Sequence, residues 1–166
     1  HAEDIVVLFG DAAVIEEGVS ESGIDRSRVE IVGTTEVVTT DESPVDAVRQ
    51  KQDSSLVQLC KAGSKKTEIP LDAVISAGNT GAFVAASQMY LRRLANVHRP
   101  GIAAAVPTFA GTVCFIDVGA NIQPKPIHLA QYGVMGMVYA KRILGIENPR
   151  VALMNVGSEE QKGTTD

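Results

Sequence analysis

Three short loops hold the residues whose types and spacing could do chemistry. They are Ser76-Ala77-Gly78-Asn79-Thr80-Gly81, then Asp117-Val118-Gly119-Ala120-Asn121 with Lys125-Pro126 just beyond, and Asn155-Val156-Gly157-Ser158-Glu159-Glu160 with Lys162-Gly163 after it. Each couples glycine and asparagine to a further polar group. Glycine lets a backbone come close to a ligand, and a helix N-terminus offers unpaired N–H groups in a favourable dipole. Asparagine adds an uncharged donor and acceptor, suited to a phosphate oxygen or a developing oxyanion. Lys125 and Arg99 can supply the positive charge that a phosphate needs. The pattern therefore suggests anion binding beside a polarised carbonyl.

Each piece also has a plainer reading. Gly-Asn-Thr-Gly is ordinary turn chemistry. Asp117-Val118-Gly119 can be a strand end that caps a helix, Lys125 and Arg99 can be solvated loop cations, and Glu159-Glu160 an exposed acidic pair. Other chemistries fail on pattern. There is no G-x-x-x-x-G-K-[ST], no G-x-G-x-x-G and no G-x-S-x-G. His98 and His128 lack partners at metal-ligand spacing and are expected to be surface or core histidines. Cys60 and Cys114 are far apart, outside any CxxC, and read as buried or half-buried reduced thiols.

Stepping outward, these loops must be held by strands and helices that alternate. Apolar runs predict strands over Ile5–Phe9, Arg28–Val32, Ala73–Ser76, Ile102–Val106, Val113–Asp117 and Val151–Asn155. The first, apolar throughout, is expected to be buried on both faces. Helices are expected over Ala13–Glu17, from Ser43-Pro44 with Asp46 completing a capping signal, from Asp53-Ser54 to Gly63, over Thr80–Leu94, and from Pro126 to Leu144. This alternation predicts one α/β domain over residues 1–166, a mostly parallel sheet with helices on both faces. Ligands bind beyond the carboxyl ends of such strands, the edge to which the three loops are delivered.

Composition excludes further classes. With 15 Lys and Arg against 20 Asp and Glu, a net charge of −5 and no Trp, the chain lacks the basic, ring-rich surface that nucleic acid requires. No apolar run approaches the roughly 18–20 residues that span a bilayer, so the cytoplasm is the default expectation. Both ends look cut, with His1 almost on a strand and Asp166 in a polar loop.

A longer ordered series carries a resemblance. Ile31-Val32-Gly33-Thr34-Thr35-Glu36-Val37-Val38, Pro44-Val45-Asp46-Ala47-Val48-Arg49 and Ser76-Ala77-Gly78-Asn79-Thr80-Gly81-Ala82 precede Arg99-Pro100. Then follow Asp117-Val118-Gly119-Ala120-Asn121, Lys125-Pro126, Gln131-Tyr132-Gly133-Val134-Met135-Gly136, Glu147-Asn148-Pro149-Arg150-Val151 and Asn155 to Gly163. Together they closely resemble the bacterial phosphate acyltransferase family, the PlsX type of acyl-carrier-protein:phosphate acyltransferase.

The resemblance implies reversible transfer of a fatty acyl group from acyl carrier protein to inorganic phosphate. The acyl-phosphate would feed a membrane glycerol-3-phosphate acyltransferase in phospholipid synthesis. It also implies a Rossmann-like three-layer α/β/α fold, related to phosphotransacetylases and isocitrate-type dehydrogenases, in a homodimer without metal or organic cofactor. On this reading Ser76, Gly78, Asn79, Thr80 and Gly81 hold phosphate, with Asn121 and Lys125 across the cleft and Asp117 and Gly119 in the same binding loop. Asn155 and Gly157 would meet the thioester carbonyl, and Arg99 would retain phosphate or meet the acidic carrier protein. A phosphotransacetylase using acyl-coenzyme A and a non-catalytic anion-binding scaffold are the alternatives. The chain departs from the family pattern in three places. The Asp-Ala-Met-Gly-Gly-Asp loop of the family's first strand does not occur here, the family's helices beyond the position of Gly163, including the portion expected to touch the membrane, lie outside this sequence, and the Phe109-Ala110-Gly111-Thr112 turn is short and uncharged.

Overall fold

A computed structural model describes residues 4–68 and 70–155. The chain forms two compact units divided between Arg92 and Arg93, where the sequence pattern suggested a single domain.

The first unit opens with β1 (Val6–Gly10), α1 (Ala12–Ser22) and β2 (Val29–Gly33). The two strands pair in parallel, Val6 opposite Val29 and Gly10 opposite Gly33. Helix α1 starts because the Asp11 carboxylate accepts from the amides of Ala13 (2.9 Å) and Val14 (3.1 Å), filling donors that a first turn leaves unpaired. It stops at Gly23, whose φ of 68° is the left-handed conformation that ends helices.

Next come α2 (Pro44–Gln50), α3 (Ser55–Ala62) and α4 (Thr80–Tyr90). The core of this unit lies among these helices. Val48, Val57, Cys60, Ala82 and Ala86 are fully buried there, joined by Val38, Ala47, Leu56 and Ala85. Ala82, Ala85 and Ala86 follow the helical i, i+3, i+4 spacing that makes one face, and their small side chains let α4 come close to α2 and α3. Burying a valine such as Val48 or Val57 stabilises by roughly 1.5–3 kcal/mol.

The expectation of a first strand buried on both faces is not met: Val6 is 48% exposed, and β1 has only β2 beside it among the described residues. Residues Ala73–Ser76, expected to form a third strand, carry no ladder. A cleft of about 250 Å³ lies between Val7-Leu8-Phe9 of β1 and Ile75-Ser76-Ala77, with Leu56 and Leu59 also lining it. Strand neighbours must come within about 4.8 Å to bond, and no ladder joins these two segments.

The second unit contains β3 (Ala103–Thr108), β4 (Gly111–Ile116) and α5 (Pro126–Arg142). β3 and β4 form an antiparallel hairpin, Ala103 opposite Ile116 and Thr108 opposite Gly111. Only Phe109 and Ala110 separate them, and two residues cannot make the crossover that parallel strands need. The chain is thus α/β in content with a parallel pair, and the hairpin corrects the expectation of a wholly alternating pattern here. Residues Val151–Asn155 are exposed and outside any strand, although the Val151 side chain packs beside Gly133 of α5. No helix among the described residues is long and apolar enough to cross a membrane.

Candidate functional site

In the first unit, the Ser76–Gly81 loop is built around Asn79, which is 8% exposed. Its Oδ1 accepts from the Ala82 amide at 2.9 Å and caps α4. Its Nδ2 donates to the Thr39 carbonyl at 2.9 Å, with the Thr40 and Glu42 carbonyls at 3.5 Å. Both ends of the amide are therefore committed, and Asn79 staples α4 to the 39–42 loop. That loop is held in turn by Glu42, which accepts from the Thr39 amide (2.7 Å) and the Lys51 ammonium (2.8 Å). The Lys51 contact is the main reason the Glu42 carboxyl sits below its ordinary value.

Gly81 answers to packing: a Cβ there would meet Pro44 Cγ at 2.8 Å, so its absence lets the start of α4 lie against that of α2. The Ser76 hydroxyl accepts from the Gly78 amide at 3.2 Å. What this loop leaves to face a ligand is backbone, the first-turn amides of Thr80 and Gly81 that no helix carbonyl can reach.

In the second unit, β4 delivers Asp117 to the turn before α5. Its Oδ1 accepts from the amides of Ile102 (3.0 Å), Gly119 (3.1 Å) and Ala120 (2.9 Å). Its Oδ2 accepts from the Asn121 amide and from Asn121 Nδ2, both at 2.8 Å. Burial pushes this carboxyl up, but the donors outweigh burial and hold it below its ordinary value. Five donors fill the acceptor capacity of a carboxylate, so in this arrangement Asp117 shapes the loop. Gly119, with φ of 139°, supplies a conformation that L side chains rarely adopt.

Asn121 Nδ2 also lies 2.8 Å from the Pro100 carbonyl and 2.8 Å from the Tyr132 hydroxyl. These acceptors settle which end of the amide is nitrogen, and leave Oδ1 facing Arg99 Nη1 at 3.5 Å. Lys125 precedes α5 and is exposed, its ammonium without a partner among the described residues. Its backbone amide donates to His128 Nδ1 at 3.0 Å, so the ring caps the helix. His128 is 6% exposed. Burial first, then the charges of Arg99, His98 and Lys125, push it below the usual histidine range.

The structure thus gathers Arg99, Asp117, Gly119, Asn121 and Lys125 within the second unit, while Ser76 to Gly81 belong to the first. Asn155 is exposed, and Gly157 lies outside the described residues.

These geometries can be set beside known proteins. The model of a family described as fatty acid synthesis protein matches residues 2–166. The chain belongs to this family. Its relatives include proteins named phosphate acyltransferase from Desulfitobacterium hafniense strain Y51, 46% identical over 95% of this chain, and Geobacillus thermodenitrificans, 44% identical over 98%. A third, from Alkaliphilus oremlandii, is 38% identical over 96%. These alignments cover 46%, 48% and 47% of the relatives, so the chain spans about half the length of the family members it matches.

Two residues packed against the Asp117 and Lys125 loops were not singled out from sequence as site residues: Tyr132, 1% exposed, and His128. Their signal is the i, i+4 spacing on α5, which sets both on one helix face with buried Ala140 following at i+12 from His128. Polar-tipped side chains on an otherwise buried face need partners, and here both find them in the loop before the helix.

Proposed function

We propose that the protein containing this chain transfers a fatty acyl group from acyl carrier protein to inorganic phosphate, releasing acyl-phosphate for phospholipid synthesis. The observation that carries this reading is a pair of exposed cations, Arg99 and Lys125, beside the loop that Asp117 organises, in a family whose relatives are named phosphate acyltransferase. Two positive groups suit a doubly charged anion. Held there, a phosphate oxygen attacks the thioester carbonyl carbon. The new C–O bond forms, the C–S bond breaks, and the carrier thiolate leaves and takes up a proton. Orientation and charge do the catalysis. Asn155 and Gly157 are assigned to the carbonyl oxygen, and the first-turn amides of α4 are a second anion-binding feature, in the first unit.

The same reading extends to a Rossmann-like three-layer fold, a homodimer, and a cytoplasmic enzyme that meets the membrane through a partner acyltransferase. The test uses the whole protein with phosphate and either acyl carrier protein thioester or acyl-coenzyme A, trapping acyl-phosphate with hydroxylamine. Product from the carrier protein alone supports the proposal. Product from coenzyme A instead makes the protein a phosphotransacetylase, and no product from either makes it a scaffold. Lys125→Ala should lower turnover at least about tenfold, the effect of losing roughly 1.4 kcal/mol of transition-state stabilisation; unchanged turnover removes Lys125 from the mechanism.

A further inference from the structure

Arg99 projects from a segment with no regular secondary structure, yet a phosphate site needs its guanidinium held in place. The segment after it rests on Tyr132. The Tyr132 hydroxyl donates to the Pro100 carbonyl at 3.2 Å and accepts from Asn121 Nδ2 at 2.8 Å. Asn121 Nδ2 lies 2.8 Å from the same carbonyl and shares its two hydrogens among that oxygen, the Tyr132 hydroxyl and Asp117 Oδ2, so two donor groups flank one peptide. The ring contributes as well. A Cβ on Gly101 would meet Tyr132 Cε1 at 3.1 Å and Ile116 Cγ1 at 3.0 Å, so glycine lets the chain lie directly on the ring. The far side of the Asn121 amide then faces Arg99.

We infer that Tyr132 is a positioning residue for anion recognition: its ring and hydroxyl fix the 99–101 segment and, through Asn121, aim Arg99 at the phosphate. This rests on the proposed reading that phosphate meets Arg99. A phenol so placed stays protonated, since burial and the Asp117 charge both push it up, and it can go on donating to Pro100.

The experiment is a double-mutant cycle on the whole protein, with Tyr132→Phe, Arg99→Ala and both together, in the hydroxylamine assay. Tyr132→Phe should raise the KM for phosphate by about three- to tenfold, the usual weight of one hydrogen bond, with kcat and the KM for the acyl donor within about twofold. In the Arg99→Ala background the same change should add nothing, because residues that act through one another are not additive. A general loss of stability would move all constants or add independently. Gly101→Ala, which lifts the segment off the ring, should repeat the effect, and it decides the matter if Tyr132→Phe does not fold. An Arg99→Ala effect on phosphate KM without a Tyr132 effect, or with an additive one, overturns this inference and leaves the functional reading standing. No Arg99→Ala effect overturns this inference and removes Arg99 from phosphate recognition, whereas absence of acyl-phosphate from the unaltered protein overturns the functional reading.

Discussion

Replacing Asp117 with Asn is the sharpest test of how the second unit is built. The side chain keeps its shape but has one acceptor oxygen where it had two. The best orientation leaves that oxygen with the Ile102, Gly119 and Ala120 amides, now facing an uncharged acceptor. The new NH2 group then points at the Asn121 amide, which has lost its acceptor, and at Asn121 Nδ2, which keeps the Pro100 carbonyl and the Tyr132 hydroxyl. A hydrogen bond to a charged group is worth roughly 1.5–3 kcal/mol net. The loop is partly exposed, so the lower figure applies to the orphaned Asn121 amide, and three amides left on an uncharged acceptor lose roughly 0.5 kcal/mol each, about 3 kcal/mol in all. For a unit of this size that lowers the melting midpoint by more than about 10 °C.

Urea unfolding gives the total, and amide exchange shows where it falls: Asn121 should lose about a hundredfold of protection and Ala120 less. The pH dependence should change too. The folded carboxyl lies below its ordinary value of 3.8, so its contribution is fully present above that pH and lost as pH falls through the folded value. Asp117→Asn should remove that acid limb. A loss under about 1 kcal/mol, or unchanged exchange at Asn121, would refute the view that this carboxylate organises the loop.

Two further outcomes follow from the same contacts. Asn79→Ala removes a helix cap and the bond to Thr39, together about 2 kcal/mol in chemical denaturation, and Asn79→Ser should recover only the capping half. His128 binds fewer protons folded than unfolded, so stability should fall as pH drops through its ordinary value of 6.5. Protonation would also set an N–H against the Lys125 amide, with Arg99, His98 and Lys125 adding repulsion. Urea midpoints at about pH 7.5 and about pH 5.5 check this, and His128→Gln should flatten the difference.

How much of this was legible in the sequence depended on whether the signal was local. Helix starts were: Pro44 and Pro126 fit a first turn and Asn79 caps α4 without a distant partner, although the expected Ser43 cap is not made, its hydroxyl donating to the Asp46 carboxylate instead. Strands were legible only where a partner existed. The Ile5–Phe9 and Arg28–Val32 runs pair with each other, within a residue of the expected ends. Ala73–Ser76 and Val151–Asn155 have the same apolar character but no bonded neighbour among the described residues. The hairpin direction was readable in principle, since the strand ends close the gap to Phe109-Ala110 and leave Gly111, with φ of 110°, to turn the chain. The two free cysteines were also read from spacing: Cys60 is buried and Cys114 partly so.

The site poses a harder problem, because a loop that binds a ligand and a loop that binds itself use the same residues. Gly, Asn and Asp after a strand serve either end, and composition does not separate them. What separates them is how much hydrogen-bonding capacity is already taken. Asp117 has five donors on two oxygens, and Asn79 has both ends of its amide engaged. A ligand that displaced these contacts would first have to break the loop that presents it. Lys125 has its ammonium unengaged among the described residues, and Arg99 meets one acceptor at 3.5 Å. On the proposed reading anion binding would therefore rest on the cations and on backbone amides, with the conspicuous carboxylate and amides holding the loops in place. On that division, removing a cation should weaken phosphate binding in a still-folded protein, whereas removing Asp117 or Asn79 should cost stability first and activity only as a consequence.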